Sequence, residues 1–303
     1  MANMLKHETR KTVLRMLCEG CAIRATERMT GVHRDTIGRA ILTFGNACRN
    51  FLDDKLQGLN LKHLECDEIW TYVGKKQARL TTEQKALCGD IGDVYLWTAL
   101  DAETKLLVTY ALGKRSADMA RRLMTDLASR LVWPQPHESD DHAWQKGFYR
   151  TITQISTDGF AGYPEAVDLA FGPYAKYGQI IKQFRNATMI YTPSEIIGTE
   201  RRVIKGDFDP YSICTSHVER HNLTIRHFMK RFARLTIAFS KKFECLAAAC
   251  GMFAAYYNFV WRTRYPDDSG RPGKKRPTAA MLAGVTDHLY SFDDLYNEVL
   301  YYG

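Results

Sequence analysis

Apolar positions recur at helical spacing through residues 6–54: Val13, Leu14, Leu17 and Cys18 fall on one face, Gly20 offers a stop, and residues 23–29 make a second short helix. Gly31-Val32-His33 then forms a tight turn into a longer helix that begins at Arg34. After a linker helix and loop over 51–62, the period changes. Residues 62–73 read as a strand, and 93–100 and 106–112 as a hairpin around the polar turn 101–105. Residues 116–131 return to helical spacing, with Ser116 as cap and Met119, Leu123, Met124 and Leu127 on the buried face. Residues 151–157 predict a buried strand ending at Asp158, 164–171 a short helix, and 178–184 another strand. Segment 188–215 reads as irregular and basic, with Arg201, Arg202 and Lys205. Residues 212–231 and 243–261 predict helices, the second rich in alanine and aromatic side chains. Alternating β and α units predict an α/β fold, a mixed sheet with helices on its faces.

Against that pattern the carboxylates stand out. Glu65, Asp67 and Glu68 interrupt an otherwise buried strand, Asp158 closes another, and Glu219 lies inside a helix. A carboxylate removed from water costs several kcal/mol unless it is paired or bound to a cation. Acids from two strands and a helix can converge on hard divalent ions, which prefer oxygen ligands, the usual equipment of two-metal phosphoryl transfer. Glu65 and Glu68 are expected to point to the side of the strand opposite Asp67. Asp101 sits at a turn edge and is expected to bond its own backbone. His137, Asp140, Asp141 and His142 fall in a proline-containing acidic stretch, 133–146, that reads as a solvated loop.

The chain has 303 residues, 45% of them apolar, a formal charge of +8 and a pI near 9.0. The length allows one large domain and one or two small ones, and the charge suggests a polyanionic partner. No apolar run approaches a membrane span, and residues 1–11 lack the apolar core of a signal peptide, so a cytoplasmic, nucleoid-associated protein is expected. Eight scattered cysteines read as reduced core residues; Cys18-Glu19-Gly20-Cys21 has no second pair to complete a zinc site. With this charge, the two short helices and glycine turn before a helix exposing Arg34, Thr36 and Arg39 have the layout of a helix-turn-helix, whose second helix enters the major groove. Arg220, Arg226, Lys230, Arg231, Arg234, Lys241 and Lys242, interleaved with Phe228, Phe232 and Phe239, read as a nucleic-acid surface.

Three blocks carry a resemblance: 66–76 (CDEIWTYVGKK), 156–167 (STDGFAGYPEAV) and 216–242 (SHVERHNLTIRHFMKRFARLTIAFSKK). Together they resemble the bacterial insertion-sequence-one type of DDE transposase over roughly residues 60–290, most specifically in the last block. The resemblance implies a ribonuclease-H-like core with a mixed five-stranded sheet. It also implies an Asp67, Asp158 and Glu219 triad holding two Mg²⁺ ions, for which Mn²⁺ is expected to substitute. The partner would be double-stranded DNA, element ends and target, with the chain acting as a homodimer or larger assembly. Arg220 and Asn222 are expected to position phosphate, and His217 or His221 to assist proton transfer. The expected organisation is a helix-turn-helix domain (1–56), a catalytic core (57–261), and a basic linker with a small appendage (262–303). Relatives often carry an N-terminal zinc ribbon that nothing here matches. A ribonuclease-H-like nuclease that cuts without joining, and a catalytically silent DNA-binding regulator, are the alternatives.

Overall fold

The computed structural model describes residues 5–87, 90–132, 153–185, 195–262 and 276–303. The stretch holding His137, Asp140, Asp141 and His142 lies outside these, as do Cys88 and most of the linker after Arg262.

Six strands form one mixed sheet among the described residues: β1 (His63–Val73), β2 (Gly92–Asp101), β3 (Leu107–Gly113), β4 (Thr153–Asp158), β5 (Ala175–Arg185) and β6 (Glu195–Lys205). Their spatial order is β3-β2-β1-β4-β5-β6. The first three strands run antiparallel, β1–β4 and β4–β5 pair parallel, and β5–β6 is antiparallel. A six-stranded mixed sheet with flanking helices is compatible with a ribonuclease-H-like core but has one strand more than expected. The extra strand is β6, where irregular chain was anticipated. As an edge strand it needs only the backbone ladder to β5 and has no face fully covered, so Ile196, Ile197 and Ile204 stay exposed among charges and no alternation marks it.

The helices are α1 (His7–Cys18), α2 (Ile23–Thr30), α3 (Arg34–Lys55), α4 (Thr82–Leu87), α5 (Ala117–Arg130), α6 (Tyr163–Phe171), α7 (Ser216–Phe228), α8 (Phe243–Phe259), α9 (Ala279–Leu282) and α10 (Phe292–Val299). Ser116 caps α5 by accepting from the Met119 amide at 3.3 Å, and Leu123, Met124 and Leu127 are fully buried, as the spacing predicts. Gly31, at φ 71°, ends α2 in the left-handed region, and three residues later α3 begins. Arg34 and Arg39 are exposed on its first turns, and Arg39 reaches the Thr36 hydroxyl at 3.3 Å.

α3 crosses α8 in direct backbone contact: a Cβ added at Gly45 would lie 2.1 Å from the Ala248 carbonyl oxygen. The C-terminal helix docks on the same pair, with Tyr296 stacked on Phe44 at 5.6 Å and Tyr302 against Phe51 at 5.5 Å. One hydrophobic core therefore runs from Val13 to Val299, shared by the N-terminal helices, the sheet and the C-terminal segment.

Candidate active site

β1 lies at the centre of the sheet, between β2 and β4, and carries three of the carboxylates. The parallel register sets Cys66 beside Thr157, so the next residues, Asp67 and Asp158, are neighbours at the same end of the sheet. Carboxylate oxygens of Asp67, Glu68 and Asp158 lie within 4.8 Å of one another.

Asp67 accepts from the Glu68 amide at 2.8 Å and, through its other oxygen, from the side-chain amide of Asn222 on α7 at 2.7 Å. Neither partner is charged. Burial, then the negative charges of Glu68 and Asp158, push its carboxyl group up to about 7. Glu68 accepts from Arg115 and, at 3.1 Å, from the Tyr163 hydroxyl on α6, and burial and Asp158 raise its pKa too. Asp158 takes the other end of the same guanidinium at 3.2 Å and the Phe160 amide at 3.1 Å. Arg115 thus bridges two acids while stacking 4.7 Å over the Phe160 ring.

Two expectations about β1 are corrected. Glu65, two residues before Asp67, shares its face rather than opposing it, as alternation requires. Its carboxylate is buried, and one oxygen accepts the His217 and Val218 amides at 2.9 Å each, so it caps the N-terminus of α7. Glu68 does start on the opposite face, but its longer side chain brings it to the Asp158 carboxylate.

Glu219, the third acid of the expected triad, is outside the compact cluster. It pairs with Lys182 on β5 and accepts from the Thr215 hydroxyl at 3.2 Å. It remains close enough to Asp67 to help raise that group's pKa. Asn222, one turn further along α7, is the contact by which this helix touches the cluster. Asp101 is elsewhere: it closes the β2–β3 turn on the Thr104 amide and hydroxyl at 2.7 and 2.6 Å.

The expected phosphate contacts divide. Arg220, Lys230, Arg234, Lys241 and Lys242 are exposed. Arg226 is half-buried beside Asp67 and Arg234, which oppositely affect its charge. Asn222 is buried and committed to Asp67, so the expectation that it meets phosphate is corrected. Arg231 is corrected likewise: its guanidinium is turned inward to the Ser240 hydroxyl at 2.6 Å, and its carbonyl accepts from Thr71 at 2.7 Å. α7 stops at Phe228, and the chain to Lys242 is a short turn and a loop rather than continued helix. Phe228 and Phe232 belong to the core. His221 is no proton carrier: fully enclosed against Tyr257 at 4.4 Å, with its pKa pushed down to about 3 by burial, it faces away from solvent.

An all-carboxylate donor set suits hard divalent cations such as Mg²⁺ or Mn²⁺. The raised pKa of Asp67, with no cationic side chain bonded to it, is the electrostatic counterpart of that fit.

Residues 181–260, from β5 through α7 and α8, match the family model of the IS1 transposases. The match supports an IS1-type DDE transposase and contains Glu219 and the basic block that carried the most specific part of the resemblance; Asp67 and Asp158 lie before it. No curated protein matches the chain.

Proposed function

We propose that the chain is a transposase that binds the ends of its own mobile DNA element, cuts phosphodiester bonds there and joins the freed 3′ ends to target DNA. The observation that carries this reading is the cluster of Asp67, Glu68 and Asp158 at the centre of a sheet whose neighbouring segment matches the transposase family. Asp67 and Asp158 would hold two Mg²⁺ ions, for which Mn²⁺ would substitute, with Glu219 and Glu68 completing the donor set. Bound there, such ions would supply activation of a water or a 3′-hydroxyl for in-line attack and charge stabilisation of the leaving oxygen.

The chain's own groups do the rest. Asn222 fixes the rotamer of Asp67 through its 2.7 Å bond. Arg115 and Lys182 neutralise the outer carboxylates and are the cations nearest to an incoming phosphate. Arg220, Arg226, Lys230, Arg234, Lys241 and Lys242 contact the backbone of the duplex. Residues 1–56 act as the helix-turn-helix that reads the terminal repeat through Arg34, Thr36 and Arg39, 57–261 as the catalytic core and 262–303 as its appendage. Joining two ends calls for a homodimer or larger assembly on DNA, in the cytoplasm at the nucleoid. No helix among the described residues is long and apolar enough to cross a membrane.

The decisive experiment is a strand-transfer assay with a 3′-hydroxyl terminal duplex and a plasmid target in Mg²⁺. Joining that disappears in Asp158→Asn supports the reading. Cutting without joining leaves a ribonuclease-H-like nuclease, and full cleavage by Asp158→Asn removes the metal assignment.

A further inference from the structure

The loop after α7 has an unusual construction. Its first foot is pinned to β1 where the Arg231 carbonyl accepts from the Thr71 hydroxyl at 2.7 Å. Its second is pinned two residues further along the same strand, where Ser240 bridges to Val73 and its carbonyl accepts from the Gly74 amide at 2.8 Å. The inward Arg231 guanidinium ties the feet together through the Ser240 hydroxyl, and Phe239 stacks on Tyr72 at 4.9 Å. Between these anchors the crown carries Leu235 and Ile237, 99% and 97% exposed, and Ile237 also stands at the rim of a cavity lined by Leu17, Ile23 and Phe253. Leu169, Tyr211 and Tyr301 stand singly, and the exposed Ile196, Ile197 and Ile204 of β6 are only about half as exposed as the two on the crown. An aliphatic side chain left in water forgoes the gain that burial would bring. Two of them held out on an anchored arch are presented, not incidental.

The surroundings say to what. Lys230, Arg234, Lys241 and Lys242 flank the crown and are all exposed, and the half-buried Arg226 interacts electrostatically with both Arg234 and Asp67. The arch of a second copy would bring the same cations and be repelled; a polyanion is attracted. Apolar side chains flanked by Lys and Arg are the means by which proteins enter a base step and unstack it. The first foot is four strand residues from Asp67, about 13 Å, or roughly four base-pair steps along a duplex.

We propose that Leu235 and Ile237 form a wedge that unstacks a base step of double-stranded DNA about four base pairs from the scissile phosphate, while the flanking cations hold the backbone. The wedge rests on the reading of the chain as an enzyme acting on DNA. Opening the step lets the phosphate rotate toward the acids without the whole duplex having to bend into the sheet.

The test uses the full chain and duplexes covering the DNA on either side of its coding sequence, with 2-aminopurine placed at successive positions. Binding of the wild type raises the fluorescence at one step, and the catalytically impaired Asp67→Asn chain raises it equally. Leu235→Ser/Ile237→Ser removes no buried contact and binds with an unchanged salt dependence. It gives no fluorescence rise and cuts intact duplex at least about tenfold more slowly, a barrier increase of about 1.4 kcal/mol. A mismatch at the affected step restores its rate.

Wild-type binding without any fluorescence rise overturns the wedge whether or not cutting occurs. So does a doubly substituted chain that cuts intact duplex at the wild-type rate. A slower chain that a mismatch fails to rescue, and whose sedimentation shows a lost oligomer, makes the crown a contact between copies and overturns it too. A fluorescence rise with no cutting by the wild type supports the wedge while refuting the transposase reading.

Discussion

Asp67→Asn should make the metal-free protein more stable at neutral and alkaline pH, although it removes a proposed catalytic group. In the fold the Asp67 carboxyl is pushed from its ordinary 3.8 up to about 7. A group whose folded pKa is raised binds its proton more tightly in the fold than in the unfolded chain. Its ionisation therefore costs the fold stability progressively as pH rises from about 4 to about 7, and the cost is constant above that. The full difference corresponds to about 4 kcal/mol at pH 8. For a chain of this length that is about 6 °C in melting temperature. The amide is close to isosteric: its oxygen still accepts from the Glu68 amide. Turning Asn222 lets its own oxygen, buried without a partner, accept from the new NH₂. The assay is thermal melting of both proteins in chelator and in Mg²⁺ across pH 4–8. The variant should melt higher in chelator at pH 8, the gap should close toward pH 4, and Mg²⁺ should stabilise the wild type selectively. A variant that melts at or below the wild type at pH 8, or equal stabilisation of both by Mg²⁺, would refute the reasoning.

Further outcomes follow from the same geometry. Glu68→Gln should raise the Mg²⁺ concentration needed for half-maximal cleavage by at least about tenfold; an unchanged metal titration would return Glu68 to a purely structural role. Glu65→Ala leaves the His217 and Val218 amides without an acceptor and should cost about 1–3 kcal/mol in urea unfolding. A wild-type midpoint would show that water replaces the cap. Replacing Arg234, Lys241 and Lys242 with Ala together should lower the slope of log affinity against log salt by about 2.7, whereas Arg231→Ala, whose side chain is bonded inward, should leave the slope unchanged.

The sheet's central strands and the α5 cap were legible because each rests on local pattern: alternation and a capping serine. An acid placed where a buried strand should have none singled out Asp67 and Asp158 one by one, and the resemblance joined them. What was missed depends on neighbours that no local pattern names. β6 is hidden because an edge strand has no covered face to impose alternation. Glu68 was set aside by the period-2 rule, which fixes where a side chain starts but not how far a glutamate reaches. Asn222 and Arg231 looked like phosphate contacts because they sit among cations; one is consumed by Asp67 and the other by Ser240, partners 155 and 9 residues away. The two exposed aliphatics of the arch were hidden for a different reason. A basic run drew attention to the charges of 220–242, and Leu235 and Ile237 carry no sequence signal of their own.

Five acids share this end of the sheet, and their partners differ in a way that assigns their roles. Glu65 is answered by two backbone amides at the start of α7, a partial positive charge built into the helix. Glu68 and Asp158 share Arg115, and Glu219 has Lys182. Asp67, between them all, is bonded among the described residues only to neutral amides and feels the negative charge of three of the others. Stability alone would favour Asn or Thr at its position. A cation able to take oxygen ligands from several of these acids at once would resolve the imbalance at the one acid of the five with neither a charged group nor a helix N-terminus bonded to it among the described residues. The same argument fixes the order of loss: removing Arg115 should strengthen the cluster's hold on a divalent ion by freeing two carboxylates, whereas removing Asp67 should abolish it. Metal affinity measured calorimetrically on Arg115→Gln decides the matter, and weaker binding than in the wild type would mean that Arg115 orients the ligands instead of competing for them.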